Sequence, residues 1–181
     1  MTTSKLRSKE AEAEKHRVYL GLGSNVGDRL GFLSEAVRQL DSLLKSSVSR
    51  ISAVYETEPV GFKEQADFLN LALELRTSLT PGVLFDETKR IEKLIGRRDG
   101  SRWKPREIDI DILLYDDLIF RSERLFIPHR EMLKRRFVLL PLSEIAGSAI
   151  HPIEKEAVRV LLDRCKDSAR VTGTEYELTK A

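Results

Sequence analysis

Arg102-Trp103-Lys104-Pro105-Arg106-Glu107-Ile108-Asp109-Ile110-Asp111-Ile112 is the stretch on which the reading of this chain turns. Ile108, Ile110 and Ile112 alternate with Asp109 and Asp111, a period of two that predicts a strand. In a strand the isoleucines share one face and the aspartates the other. Residues two apart lie roughly 6.5 to 7 Å apart along a strand. At that spacing the carboxylates can each hold a hard cation, or chelate two ions side by side. Mg²⁺ prefers such oxygen donors, usually together with substrate phosphates and waters. Arg102, Lys104 and Arg106 stand just upstream, on a segment that Pro105 keeps from continuing as regular sheet. Acid for a metal beside base for phosphates suggests a nucleotide site. Periodicity alone is served as well by a half-buried edge strand with its aspartates in water. Two Asp at alternate positions, a residue depleted in strands, ask for a further reason.

Working outward, alternation returns at 68–77. Leu69, Leu71, Leu73 and Leu75 point one way; Phe68, Asn70, Ala72 and Glu74 point the other. Short strands are expected at 18–22 and 48–56, with a loop at 57–66. Asp28 can cap a helix striped by Leu30, Leu33, Val37, Leu40 and Leu44. Thr80 and Pro81 open a second helix as N-cap and first residue. Its expected buried stripe is Leu84, Phe85, Ile91, Leu94 and Ile95, and Gly96 suits its end. A basic loop, 97–106, leads into the Asp109/Asp111 strand. A small hairpin is expected over 118–127, helical turns over 129–146, a last helix over 152–165 and a possible strand over 171–178. Strand, helix, strand, strand, helix, strand is the split βαβ order of a ferredoxin-like α+β sandwich. The expectation is an antiparallel sheet with helices packed on one face. The other face, carrying Asn70, Asp109 and Asp111 if registers agree, is left for a ligand and the long loops.

Composition narrows the function classes. The 181 residues suffice for one domain with a real core. The 31 basic and 29 acidic side chains nearly balance, against the strong basic excess of a bulk nucleic-acid binder. No apolar run approaches the ~18 residues of a membrane span. Cys165 is the only cysteine, which excludes an internal disulfide and fits a reducing cytosol. Residues 1–17 are polar, carry Glu10, Glu12 and Glu14, and read as a disordered tail before a single domain, 18–181. A monomer in the cytoplasm is expected, acting on small molecules, with no nucleic-acid or membrane partner.

Gly21-Leu22-Gly23-Ser24-Asn25-Val26-Gly27 fails as a dinucleotide fingerprint, because Val26 stands where the third glycine is needed. It reads as a tight strand-to-helix turn beside the site. Trp103, in a basic loop, can cover a planar ligand. His129 and His151 have no partners at zinc-ligand spacing. Arg135, Arg136 and Phe137 combine charge with an aromatic ring.

Taken in order, these pieces resemble the 6-hydroxymethyl-7,8-dihydropterin pyrophosphokinase family. The resemblance rests on Tyr19-Leu20-Gly21-Leu22-Gly23-Ser24-Asn25, Tyr55-Glu56-Thr57-Glu58-Pro59-Val60-Gly61 and Gln65-Ala66-Asp67-Phe68-Leu69-Asn70. It rests further on Arg102-Trp103 with Pro105-Arg106, on Ile108 to Leu113, and on Pro128-His129 with Phe137. It covers roughly residues 18–165 and implies a ferredoxin-like fold. The implied reaction moves a pyrophosphoryl group from the co-substrate ATP to the pterin hydroxymethyl oxygen, leaving AMP. By motif position, Asp109 and Asp111 would hold two Mg²⁺ ions. Asn70, with groups near Thr57 and Val60, would bind the pterin edge, and Phe68 and Phe137 would sandwich its ring. Arg97 and Arg106 would neutralise the transferring phosphates while Trp103 closes over the site. Arg102, Arg124, His129 and Arg135 would contact the nucleotide, and Lys89 and Glu92 stand where the family touches ATP. Lys104 replaces a frequent Gly and Ala66 a frequent Pro; neither carries chemistry. Two other readings remain: a metal-dependent nucleotide hydrolase, and a non-catalytic ferredoxin-like module for RNA or a regulatory nucleotide.

Overall fold

The computed structural model describes residues 15–59, 64–97 and 105–179. Residues 1–14, which make up most of the expected tail, lie outside the described residues. His16 and Arg17, assigned to that tail from sequence, instead open the first strand.

Six strands build one antiparallel sheet in the order β5 (Asp109–Tyr115), β1 (His16–Ser24), β4 (Phe68–Thr77), β3 (Tyr55–Thr57) and β8 (Val171–Gly173), with β2 (Ser46–Ile51) also paired to β4. β2 and β3 pair with successive halves of β4, so the strand expected at 48–56 is two pieces around a bend. There the Ser52 hydroxyl accepts the Ala72 N–H at 2.9 Å. A separate hairpin, β6 (Phe120–Arg121) with β7 (Phe126–Ile127), occupies the region where one was expected.

Helices α1 (Arg29–Asp41) and α2 (Pro81–Ile95) pack on one face, over Leu20, Leu22, Leu71, Leu73 and Ile110. The capping positions are as the sequence indicates, although the Thr80 side chain makes no capping hydrogen bond. Asp28 accepts the Gly31 N–H at 3.0 Å, Thr80 and Pro81 open α2, and Gly96 closes it in the left-handed region at φ 119°. Two stripe positions differ. α1 ends at Asp41, which leaves Leu44 81% exposed, and Leu94 points outward while Thr88 and Glu92 turn inward. Positions 84, 88, 91 and 92 follow the helical period more closely than the run that included Leu94.

The opposite face is not left free, a correction to the expected one-sided packing. α3 (Arg136–Ala146) and α4 (Val158–Asp163) form a second layer, joined to the sheet through Tyr19, Ala72, Leu113, Leu114, Leu139 and Leu142. A register shift between Tyr19 and Leu20 turns both Leu113 and Leu114 toward this layer. The helix expected over 152–165 shrinks to α4. Upstream, buried His151 accepts the Ile153 and Glu154 N–H groups on Nδ1, and Lys155 takes φ 59°, which breaks a right-handed helix. Among the described residues, no helix is long and apolar enough to cross a membrane.

Candidate active site

Register builds the site. Gly23 of β1 pairs with Asn70 on one side and Asp109 on the other; Gly21 pairs with Ala72 and Asp111. Asn70, Asp109 and Asp111 therefore share one sheet face, as anticipated. Two inter-strand steps place Asn70 and Asp109 roughly 10 Å apart at Cα. The glycines between them present bare backbone as a floor. A Cβ at Gly23 would stand 2.6 Å from Asn70 Oδ1. Over this floor lies a cavity of about 300 Å³, reached by Phe68, Phe137, Thr57 and both aspartates. α3 covers the rest of the face, so the cavity opens at that helix's N-terminal end, where Phe137 and Val138 meet it.

Each wall has its own chemistry. Asn70 Nδ2 donates to Thr57 Oγ1 at 2.7 Å, which orients the amide and leaves its oxygen over Gly23. Asp109 is held by Arg106 at 2.6 Å and by Arg97 at 2.8 Å. Asp111 makes no side-chain hydrogen bond or ion pair among the described residues, and shares its surroundings with His129. Burial pushes the His129 imidazole below its ordinary value, against the opposing pull of Asp111. His129 is thus neutral near pH 7, and its Nδ1 accepts the Glu131 N–H at 3.3 Å.

A second cavity of about 240 Å³ adjoins the first, with Asp111, His129 and Arg135 common to both. Phe85, Ile110, Arg124 and Arg130 complete much of its wall. Arg124 lies 5.1 Å from the Phe85 ring centre and Arg130 3.6 Å from that of Phe126. Arg135 in turn lies 5.8 Å from the Phe137 ring. Lys89 and Glu92 instead grip the outer edge of β5. Glu92 accepts the Ile110 N–H at 2.7 Å, Lys89 donates to the Ile110 carbonyl at 3.2 Å, and Glu92 pairs with both Lys89 and Arg97. Val60, Arg102 and Trp103 lie outside the described residues.

Sequence reasoning assigned no role to several residues that shape this site. Gly21 and Gly23 form its floor; two glycines at alternate strand positions were the signal, because glycine in a strand marks close backbone approach. Asn25, only 2% exposed, accepts the Arg106 N–H on Oδ1 at 2.8 Å and donates to Gln65 at 3.0 Å and the Ala66 carbonyl at 3.2 Å. It ties the Arg106 segment to the loop before β4. Glu58 is joined to the C-terminal segment, its carboxylate accepting the Arg170 N–H at 3.0 Å.

For a divalent cation the donor set is two carboxylates on one strand. Among the described residues, no group of three or more His, Cys, Asp or Glu side chains converges as a closed metal cage. The carboxylate pair suits an ion such as Mg²⁺, which takes one or two carboxylates and completes its shell with phosphate oxygens and water. Two chambers share a carboxylate, a neutral imidazole and an arginine, an arrangement suited to an enzyme that holds a flat ring in one and an anionic group in the other.

Comparison with known proteins agrees. The profile of the 7,8-dihydro-6-hydroxymethylpterin-pyrophosphokinase (HPPK) family matches residues 19–147, and the chain belongs to that family. It is 46% identical to the 2-amino-4-hydroxy-6-hydroxymethyldihydropteridine pyrophosphokinase of Aquifex aeolicus, over 78% of this chain and 88% of that one. It is 44% identical to the Bacillus subtilis protein of the same name, over 81% and 85%. Among solved structures, wild-type Plasmodium falciparum HPPK-DHPS superposes with a TM-score of 0.66 at 17% identity, over 83% of this chain and 45% of that longer one. That likeness concerns the fold.

Proposed function

We propose that this enzyme transfers pyrophosphate from ATP to 6-hydroxymethyl-7,8-dihydropterin, a step of folate biosynthesis. The observation that carries the reading is the juxtaposition of an aromatic and amide chamber with an arginine-lined one across Asp111. The pterin ring enters between Phe68 and Phe137, and its edge meets Asn70 and Thr57. Stacking on each ring contributes about 0.5 to 1.5 kcal/mol beyond area burial. The nucleotide takes the second chamber, where Arg124, His129 and Arg135 meet it and Phe85 and Ile110 offer apolar contact. Lys89 and Glu92 act there through the β5 edge that they hold.

The pterin alcohol oxygen bonds the β-phosphorus of ATP. The oxygen that bridged the α and β phosphorus atoms departs on AMP, and one proton is released. Positioning and charge stabilisation suffice for such a transfer, with no nucleophilic side chain. Arg97 and Arg106 supply positive charge to the phosphates. Neutral His129 can donate a hydrogen bond without adding charge. Asp109 and Asp111 would hold Mg²⁺, which would shield the phosphate charge that otherwise repels these carboxylates. Val60, Arg102 and Trp103 belong to the same reading through the family resemblance, as pterin, nucleotide and covering residues. We also read the core as a ferredoxin-like sandwich. Counting β2 with β3 as one bent strand, the fourth, first, third and second strands lie side by side, which supports that reading.

The test is AMP release from ATP and Mg²⁺, with and without 6-hydroxymethyl-7,8-dihydropterin. AMP and pterin diphosphate in equal amounts, only with pterin present, is the expected result. ADP or AMP without pterin would replace this reading by a nucleotide hydrolase.

A further inference from the structure

α3 crosses the sheet face, with the catalytic cavity at its N-terminal end and a second polar cavity at its C-terminal end. This distal cavity measures about 320 Å³ and is walled by Arg17, Arg50, Arg76, Tyr19 and Glu74 from three strands, with Ser148 beyond the helix end. The register explains the convergence. Tyr19 pairs with Glu74, Arg17 with Arg76, and Arg50 with Glu74, so these side chains stand on one face in adjoining rows. The Tyr19 and Glu74 row is two residues along the strands from the Gly21 and Ala72 row beneath the catalytic cavity.

Charge in this cavity is unbalanced. Among the described residues, Glu74 is the one carboxylate on its wall, with its side chain 6% exposed. Arg76 Nε holds it at 2.9 Å, and Arg17 Nε lies 3.6 Å from the same oxygen. One guanidinium therefore compensates Glu74, leaving two charges in excess. Arg50 donates to the Ile145 carbonyl at 2.6 Å, which occupies one of its five N–H groups. That bond also offsets the partial negative charge of the α3 terminus. Arg50 and Arg76 make no other side-chain hydrogen bond or ion pair among the described residues. Neutralising a buried glutamate requires one arginine; three around one concavity leave N–H donors for a ligand.

We propose that this cavity is a second anion site, for a free phosphate or diphosphate or for a nucleotide's phosphate group, separate from the catalytic centre. Guanidinium forks match phosphate oxygens in pairs, and the exposed Ser148 hydroxyl adds a donor at the rim. The arginines converge on one pocket from β1, β2 and β4, a geometry suited to a compact oxyanion. An extended nucleic-acid backbone would call for a stripe of charge. The proposal does not depend on which reaction the catalytic cavity performs.

The test follows arginine Nε–H and backbone amide signals by NMR. Inorganic pyrophosphate, and AMP in a parallel series, are titrated without divalent cation, with chloride holding ionic strength constant. The expected result is saturable shifts at Arg17, Arg50, Arg76, Ser148 and Ala149, with the tighter probe identifying the source of the phosphate. Arg50→Gln and, separately, Arg17→Gln should weaken this binding roughly tenfold or more, the worth of a charge-assisted bond, while turnover is unchanged. Both variants leave the Arg76 pair with Glu74 intact, so the fold survives. Shifts confined to the catalytic cavity would overturn the site. So would a non-saturating drift that Arg50→Gln does not alter, which is ionic screening. Saturation by an oligoglutamate peptide but by neither phosphate probe would replace the small anion with an acidic protein partner.

Discussion

The Glu92 carboxylate, carried by α2 and 2% exposed, accepts the N–H of Ile110 on edge strand β5 at 2.7 Å. β5 has no strand neighbour beyond it among the described residues, so a helix side chain completes its hydrogen bonding. The same carboxylate holds Lys89 and Arg97, and Arg97 holds Asp109. One residue thereby couples the helix, the strand bearing both acidic residues and Arg97. Glu92→Ala should cost about 2 to 3 kcal/mol in urea unfolding, below the full penalty for a broken buried pair because its partners are partly solvated. Hydrogen exchange at the Ile110 amide should accelerate with it. An unchanged amide would show that the edge holds without Glu92.

Asp109 and Asp111 should separate activity from stability. Asp111 has no side-chain bond to lose among the described residues. Asp111→Asn should lower turnover by about a hundredfold or more with no change in the unfolding midpoint. Asp109→Asn should reduce both, because it also releases Arg97 and Arg106. Full activity in the Asp111 variant would remove that carboxylate from the metal assignment.

Gly23→Ala tests the floor of the site. Its methyl group would meet Asn70 Oδ1 and displace the amide from Thr57. The expected cost is about 1 to 3 kcal/mol, seen as a raised KM for the pterin with a smaller effect on the KM for ATP. Equal changes for both substrates would place the disturbance elsewhere.

Asn25→Ala should act through Arg106. It removes the Oδ1 that accepts the part-buried Arg106 N–H and unties the loop at Gln65 and Ala66. kcat should fall about tenfold, whereas Asn25→Asp, which keeps the acceptor oxygen, should recover part of it. Steady-state kinetics of the two variants decides the matter; no recovery with Asp would point to the loop tie alone.

Acid should destabilise the protein through its buried histidines. Burial lowers the His151 pKa below its ordinary 6.5, with Glu154 opposing, and burial does the same at His129. The folded state then binds fewer protons than the unfolded state between the two pKa values, so stability rises with pH there. The contribution is whole above about 6.5 and is lost as pH falls through the folded values. Urea unfolding at pH 7.5 and 5.5 should show the loss, and His151→Gln should flatten it in part. An unaltered slope in that variant would assign the effect to other groups.

Much of this architecture was legible because it rests on local rules. The leucines of β4 alternate toward one layer, Asp28 and Gly96 cap where their chemistry requires, and the 102–112 block carries its own signature. What escaped was decided at a distance. Nothing local to 136–146 says that this helix covers the second sheet face. His151 and Lys155 redirect a segment whose composition favours helix. Glu92 reads as a charged residue near a nucleotide, yet its buried carboxylate faces a strand edge. The cluster of Arg17, Arg50 and Arg76 is invisible in sequence, since only strand register brings the three together.

The sequence by itself determined the central strands, the first two helices, the acidic pair and the family, because period, turn chemistry and contiguous motifs act over a few residues. Only the tertiary structure decided which rows align. Antiparallel register sets Gly23 between Asn70 and Asp109, and Gly21 between Ala72 and Asp111. A slip of one residue would turn every one of those side chains to the opposite face. Burial of the leucine face against α1 and α2 holds that register. The site is therefore a consequence of packing on the far side of the sheet as much as of the residues that line it.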